Sequence, residues 1–238
     1  MKVLAVDTSS TVAAVAIIDD EVLLGEYFIN NRKTHSQKLM PMIKELMDSL
    51  GLTPEDIDIY AASVGPGSFT GLRIGVTSIK AMAYALEKPV ISVPTLDALA
   101  YNAQDRSAVI CPIMDARNNQ VYTALYRFVD KGISKESEYM ALPIEELMHM
   151  FVNTGNKVCF VGDGVDRHRE YLHNELGEKC SFAPHNLILN KASSVAQLAL
   201  TAAKAGKLEN PVDMVPFYLR KSQAEQEYDR RCGDKTHE

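Results

Sequence analysis

One order of elements occurs twice in this chain, and it limits the possible folds more than any single motif does. Val3 to Val6 reads as a buried strand closed by the polar cluster Asp7-Thr8-Ser9-Ser10. Val12 to Ile18 follows as a second strand, and Asp19-Asp20 turns the chain into a third, Val22 to Ile29. Leu39, Ile43, Leu46 and Leu50 then recur at helical spacing, with Thr34 and Gln37 placed as a capping box and Gly51 as the stop. Pro41 predicts a kink or a later start in that helix. Ile57 to Val64 is a fourth strand, Leu72 to about Leu86 a second helix, and Val90 to Val93 a short strand.

The same order begins again with the strand Val109 to Asp115. Val121 to Val129 is its neighbour and Glu138 to Leu142 a weaker third strand; Ile144 to Phe151 is a helix, Lys157 to Val161 a strand and Asp166 to Leu176 a helix. The punctuation recurs as well. Asp7 precedes Val12 as Asp115 precedes Val121, and Val64-Gly65-Pro66-Gly67 is echoed by Val161-Gly162-Asp163-Gly164, in a shorter second copy. The expected architecture is therefore α/β in two lobes, residues 1–104 and 105–194, each a mixed sheet of three antiparallel strands followed by helix-strand-helix. The chain should cross between them near residues 100–108, and residues 195–230, opening with a helix Val195 to Ala205, should return to the first lobe.

Between the fourth strand and the second helix stand Gly65-Pro66-Gly67-Ser68-Phe69-Thr70-Gly71, with three glycines and one proline in seven positions. Such a density demands backbone shapes other residues cannot adopt. It is not a G-x-x-x-x-G-K-[ST] loop, because Leu72-Arg73 follows Gly71, nor G-x-G-x-x-G, because Gly71 arrives one residue late. An anion nest and a tight packing corner both remain open. Asp7, Thr8 and Ser9 fit either a first phosphate loop or an Asx turn. Asp115-Ala116-Arg117 and Gly162-Asp163-Gly164 read as turns.

Other chemistry is sparse. His168 and His173 are five apart, on different helix faces, so they do not make a metal pair. His35 reads as a solvent-facing turn residue. There is no Gly-x-Ser-x-Gly elbow. The four cysteines form no C-x-x-C pair, and Cys111 and Cys159 sit in apolar runs as reduced core thiols. With 46% hydrophobic residues the chain of 238 can bury a large core. A net charge of -6 disfavours unaided binding of a nucleic acid backbone. The apolar start MKVLAV is too short for a signal peptide, and no stretch approaches the ~20 apolar residues of a membrane helix. A cytoplasmic protein is expected.

The doubled layout resembles the actin, hexokinase and sugar-kinase ATPase superfamily, in which two copies face each other across a cleft and glycine turns bind phosphate. That resemblance gives a fold, not a function. A closer one rests on Val64-Gly65-Pro66-Gly67-Ser68-Phe69-Thr70-Gly71-Leu72-Arg73-Ile74-Gly75-Val76. It is joined by Asp7-Thr8-Ser9, His35-Ser36-Gln37, Asp115-Ala116-Arg117 with Val121-Tyr122, and Pro216-Phe217-Tyr218-Leu219-Arg220. These resemble the signature of the bacterial TsaB family. The resemblance implies a non-catalytic subunit that binds and activates a TsaD-type transferase, joined by a TsaE-type ATPase. TsaD moves a threonylcarbamoyl group onto the adenosine beside the tRNA anticodon. TsaD-like proteins carry an H-x-x-x-H metal pair after the short strand; here Thr95 and Leu99 stand at those positions. The resemblance further implies that ATP and metal belong to partner subunits, that tRNA is met only through the complex, and that the chain alone can form a homodimer.

Both N-terminal helices carry apolar residues on more than one face: Leu39, Ile43, Leu46 and Leu50 with a second set of Met40, Met42 and Met47 in the first, and Ile74, Val76, Ile79, Met82 and Leu86 in the second. Deep burial and a partner interface are the two explanations. The interface explanation takes Leu39, Met42, Ile43, Leu46, Met47, Leu50, Ile74 and Met82 as a docking surface left exposed in the monomer. The rival function is an active small-molecule kinase or ATPase, which would bring Asp7 and Asp115 to a metal and use Gly65, Pro66, Gly67 and Ser68 on phosphate.

Overall fold

The structure is a computed structural model and describes residues 1–31, 35–130 and 132–220. The Thr34 capping box lies outside the described residues. The first sheet is built from β1 (Lys2–Asp7), β2 (Val12–Asp19), β3 (Val22–Asn30), β4 (Ile59–Gly65) and β5 (Val90–Pro94), in the order β3-β2-β1-β4-β5. β1 pairs antiparallel with β2 and parallel with β4; β2–β3 is antiparallel and β4–β5 parallel. Helices α1 (His35–Leu50) and α2 (Phe69–Ala85) follow β3 and β4, and α3 (Thr95–Ala100) follows β5.

The second sheet repeats that order with β6 (Val109–Asp115), β7 (Gln120–Thr123), β10 (Met140–Pro143), β11 (Val158–Val161) and β12 (Cys180–Phe182), running β10-β7-β6-β11-β12. Helices α4 (Ile144–Val152) and α5 (Gly164–Leu176) occupy the places of α1 and α2. The strand senses match one for one, antiparallel from β10 to β6 and parallel from β6 to β12. Two separate sheets with one topology confirm the duplication.

Several elements differ from expectation. Val121 to Val129 is not one strand: it breaks at Ala124-Leu125 into β7 and β8 (Tyr126–Val129), and β8 forms a hairpin with β9 (Gly132–Lys135). The break is held by Leu125, whose N–H donates to Ser137 Oγ and whose carbonyl accepts from Glu136 N. Helix α3 and strand β12, of six and three residues, are too short to leave a periodic trace. Pro41 lies inside α1, which starts at His35.

β1 and β4 are buried along both faces, which is why they read as unbroken apolar runs. Leu4, Val6, Tyr60 and Ala62 face a core shared with α1 and α2. Val3, Ala5, Ile59 and Ala61 face Val195, Ala196, Ala199 and Leu200 of α6 (Ala192–Lys204). A third core fills the second sheet and takes in Leu96 and Leu99 of α3.

The exposure expected of the α1 residues fails. Leu39, Met42, Ile43, Leu46 and Met47 are 1–4% exposed and belong to the first core. Residues 39, 42, 43, 46, 47 and 50 are one helical stripe, not two faces; only Met40, 45% exposed, lies off it. The packing is close: a Cβ at Gly25 of β3 would stand 2.7 Å from Leu46 Cδ1. Leu50, Ile74 and Met82 are half-buried at the edge of the same core. Accordingly, Leu46→Ala should lower stability by about 2–5 kcal/mol, while Met40→Ala should stay within about 0.5 kcal/mol of the parent. Denaturant unfolding of both variants checks this; equal losses would place Leu46 outside the core.

Candidate functional site

The parallel pairing Val6↔Ala62 sets the C-terminal ends of β1 and β4 side by side, so Asp7 meets the start of the glycine loop. Asp7 is fully buried, and its carboxylate is saturated by the protein itself. Oδ1 accepts from Ser9 N at 2.9 Å and Ser9 Oγ at 2.7 Å; Oδ2 accepts from Ser63 Oγ at 2.5 Å and Asn190 Nδ2 at 3.3 Å. A carboxylate offers about four acceptor positions, and these four bonds use them. The Ser9 N–H bond is the Asx turn foreseen as one alternative.

The glycine loop lies directly on that turn. Thr8 Oγ1 donates to Gly71 O at 2.7 Å, and Ser68 N donates to Ser9 O at 2.7 Å. Ser68 caps α2 by accepting from Gly71 N at 3.2 Å. A Cβ at Gly67 would stand 2.3 Å from Ser9 O, one at Gly71 2.0 Å from Thr8 O, and one at Gly75 2.4 Å from Thr8 Oγ1. Two of the amides that would face an anion, those of Ser68 and Gly71, are already spent inside the protein. Asp7, Thr8, Ser9, Gly65, Gly67 and Ser68 therefore come together as a packing corner, with Pro66 on a cis peptide bond between the glycines.

Gly65 has a different neighbour. At φ +126 it lies beneath the C-terminal segment, where an added Cβ would stand 2.1 Å from Phe217 O. Phe217 N donates to Val64 O at 2.7 Å, and the Tyr218 ring stacks on Phe69 with centroids 4.3 Å apart. Arg73 Nε donates to Tyr218 OH at 3.1 Å. The sequence singled out Pro216 to Arg220 only as a landmark; nothing local told of this contact across the chain.

In the second half Asp115 occupies, at the end of β6, the place that Asp7 takes at the end of β1. It is exposed, accepts from Arg117 N at 2.9 Å and meets Arg167 Nη1 at 3.4 Å. Arg117, Asn118 and Asn119 all hold positive φ, so the hairpin turn expected there is present in left-handed form. Gly162, at φ +119, lies against Ile113 O as Gly65 lies against Phe217 O. Asp163 Oδ1 accepts from Asp115 N at 3.1 Å. Burial pushes the Asp163 carboxyl up to about 6, and the neighbouring Asp115 charge adds to the push.

His168 is buried, its Nε2 has no hydrogen-bond partner among the described residues, and burial holds its ring below the usual histidine value; His173 is exposed on another face. His35 is not a free turn residue: its Nε2–H donates to Ser10 O at 2.9 Å, tying α1 to the first loop. Cys111 and Cys159 are free and buried. Among the described residues no three His, Cys, Asp or Glu side chains are grouped to hold a metal, and no helix is long and apolar enough to cross a membrane. Thr95 opens α3 and Leu99 lies further along it, both fully buried.

Two like-ordered sheets, glycine turns after β4 and β11, and aspartates closing β1 and β6 define a protein of the actin/hexokinase-like ATPase fold. A family model described as TsaD, tRNA N6-adenosine threonylcarbamoyltransferase, matches residues 23–228. The tRNA threonylcarbamoyladenosine biosynthesis protein TsaB of Bacillus subtilis is 32% identical over 231 residues, covering 94% of this chain and 96% of its own. YeaZ from Pseudomonas aeruginosa superposes with a TM-score of 0.77 at 26% identity, over 92% of this chain and 99% of that one. Component A of the (R)-2-hydroxyglutaryl-CoA dehydratase of Acidaminococcus fermentans shares the fold at a TM-score of 0.50 and 11% identity, over 86% of this chain and 99% of that one. The chain belongs to the TsaB family and carries a TsaD-like domain, which gives it a role in tRNA threonylcarbamoyladenosine biosynthesis.

Two outcomes follow from the site. Gly71→Ala should cost about 1–3 kcal/mol or more by overpacking, whereas Gly155→Ala, with nothing within 4 Å, should be near neutral; thermal melting compares them, and a neutral Gly71→Ala would refute the packing corner. The raised Asp163 carboxyl binds its proton more tightly folded than unfolded. Its stabilising share is present at low pH and lost as pH rises from about 4, the ordinary aspartate value, through about 6. Asp163→Asn should thus melt like the parent near pH 4 and above it at pH 7; a constant gap across that range would count against the shift.

Proposed function

We propose that this chain is the non-catalytic partner of a TsaD-type transferase, binding it and supporting its active form during threonylcarbamoyl transfer to tRNA. The observation that carries the proposal is the pair Thr95 and Leu99. They stand where TsaD-like proteins carry their metal-binding histidines, and both are fully buried, Leu99 within the core of the second sheet. A leucine side chain has no donor atom, and a buried threonine hydroxyl is a poor ligand for catalytic metals. The saturated Asp7 and the filled glycine corner support the same conclusion, since the cleft offers its groups to the chain's own atoms.

On this proposal ATP and metal serve the transferase and a TsaE-type ATPase that joins the pair, and the chain itself holds no cofactor tightly. Its net charge of -6 suits contact with tRNA through the complex rather than unaided. The docking face moves from the α1 core stripe to the rim that remains accessible. Met40 and Tyr84, at 45% and 68% exposure, are its exposed apolar groups, with half-buried Leu50, Ile74 and Met82 nearby on the same helices. The same face would mediate self-association of the chain on its own.

Reconstitution from purified components tests the proposal. The chain alone should give no threonylcarbamoyl transfer with any added metal, and the TsaD-type transferase with its ATPase should gain activity when the chain is added. Transfer by the chain in a preparation free of the transferase would overturn it. Met40→Glu or Tyr84→Glu should weaken the heterodimer without lowering the melting temperature.

A further inference from the structure

We infer that Met214–Arg220 is a releasable strap that clasps the two lobes across the cleft, anchored on the first lobe and detaching from the second. This goes beyond the partner role and does not depend on it. The main chain passes from the first lobe into the second through α3 and residues 101–108, and returns through residues 183–191. Asn102 Nδ2 donates to Leu189 O at 2.9 Å, so these two passages are pinned to each other. Among the described residues the strap is a third passage between the lobes.

Its two ends are held unequally. On the first lobe Met214 is fully buried in the core beneath α2, and Lys80 Nζ donates to both Val212 O and Met214 O at 2.9 Å. Phe217 N is bonded to Val64 O, its carbonyl lies over Gly65, and Tyr218 is stacked on Phe69 and bonded by Arg73. On the second lobe the hold is slighter. The Phe217 ring tilts against Tyr139 at 5.6 Å, Leu219 packs half-buried on the core of the second sheet, and Arg220 Nη1 donates to Ala116 O at 3.1 Å. When the clasp gives way, it gives way at Leu219 and Arg220, and Ala116 O at the start of the turn loses its hydrogen bond while the first lobe stays intact. Glycine is required at position 65 so that the anchored half can lie flat on the end of β4.

Amide hydrogen exchange on the full chain tests this, comparing the parent with Leu219→Ala/Arg220→Ala and with Arg220→Ala alone. The double variant should speed exchange at residues 114–122 on the order of tenfold, as loss of a hydrogen bond and a packed side chain would give. Amides of β1 and β4 and of Phe217 should keep the parent's protection, and Arg220→Ala alone should give a smaller change in the same place. Unchanged exchange at 114–122 would overturn the clasp. A rise spread over both lobes with a lower melting temperature would also overturn it, since the segment would then be part of one cooperative core.

Discussion

The approach of three backbone segments to one another at the ends of β1 and β4 governs this structure. Thr8 and Ser9 press on Gly67, Gly71 and Gly75, and Phe217 presses on Gly65, each at a separation that a Cβ would abolish. Because the segments are that close, their polar groups bond to one another: Ser9 to Asp7, Ser68 to Ser9, Gly71 to Thr8, Phe217 to Val64. A glycine-rich turn at a helix start is an anion site when its amides face solvent. Here the same chemistry is turned inward, and the site becomes a joint between the first loop, α2 and the C-terminal segment.

That joint sets how a fold shared with ATPases is filled in this chain. The lobes keep the doubled topology, and even the equivalent glycines keep it: Gly65 and Gly162 hold nearly the same positive φ and each lies under a carbonyl oxygen. The chain's own atoms fill the space at the ends of β1 and β4. Asp7 faces Ser9, Ser63 and Asn190, and the strap lies over the glycine loop. Asp115, the second strand-end carboxylate, is engaged by Arg117 and Arg167.

The duplication was legible because its markers are local: strand-end aspartates, glycine turns and helical spacing all lie within a few residues of the elements they delimit. Helix α3, strand β12 and the β8–β9 hairpin were not, since elements of three to six residues leave no period to detect. The interface assignment went astray for another reason. The second apolar set of the first helix splits: Met42 and Met47 join Leu39, Ile43, Leu46 and Leu50 in a single stripe while Met40 lies off it, and burial follows the stripe. The glycine loop left two explanations open because the deciding partners, Ser9 and Phe217, are remote in sequence. No local pattern encodes them.

The account stands on the cleft being closed by the chain's own backbone, and titration calorimetry with ATP and magnesium on the purified full-length chain measures that directly. Heats indistinguishable from dilution up to millimolar nucleotide are the predicted result. Saturable binding at micromolar concentration, with ATP turned over by the chain alone, would contradict it and restore the cleft as a working nucleotide site.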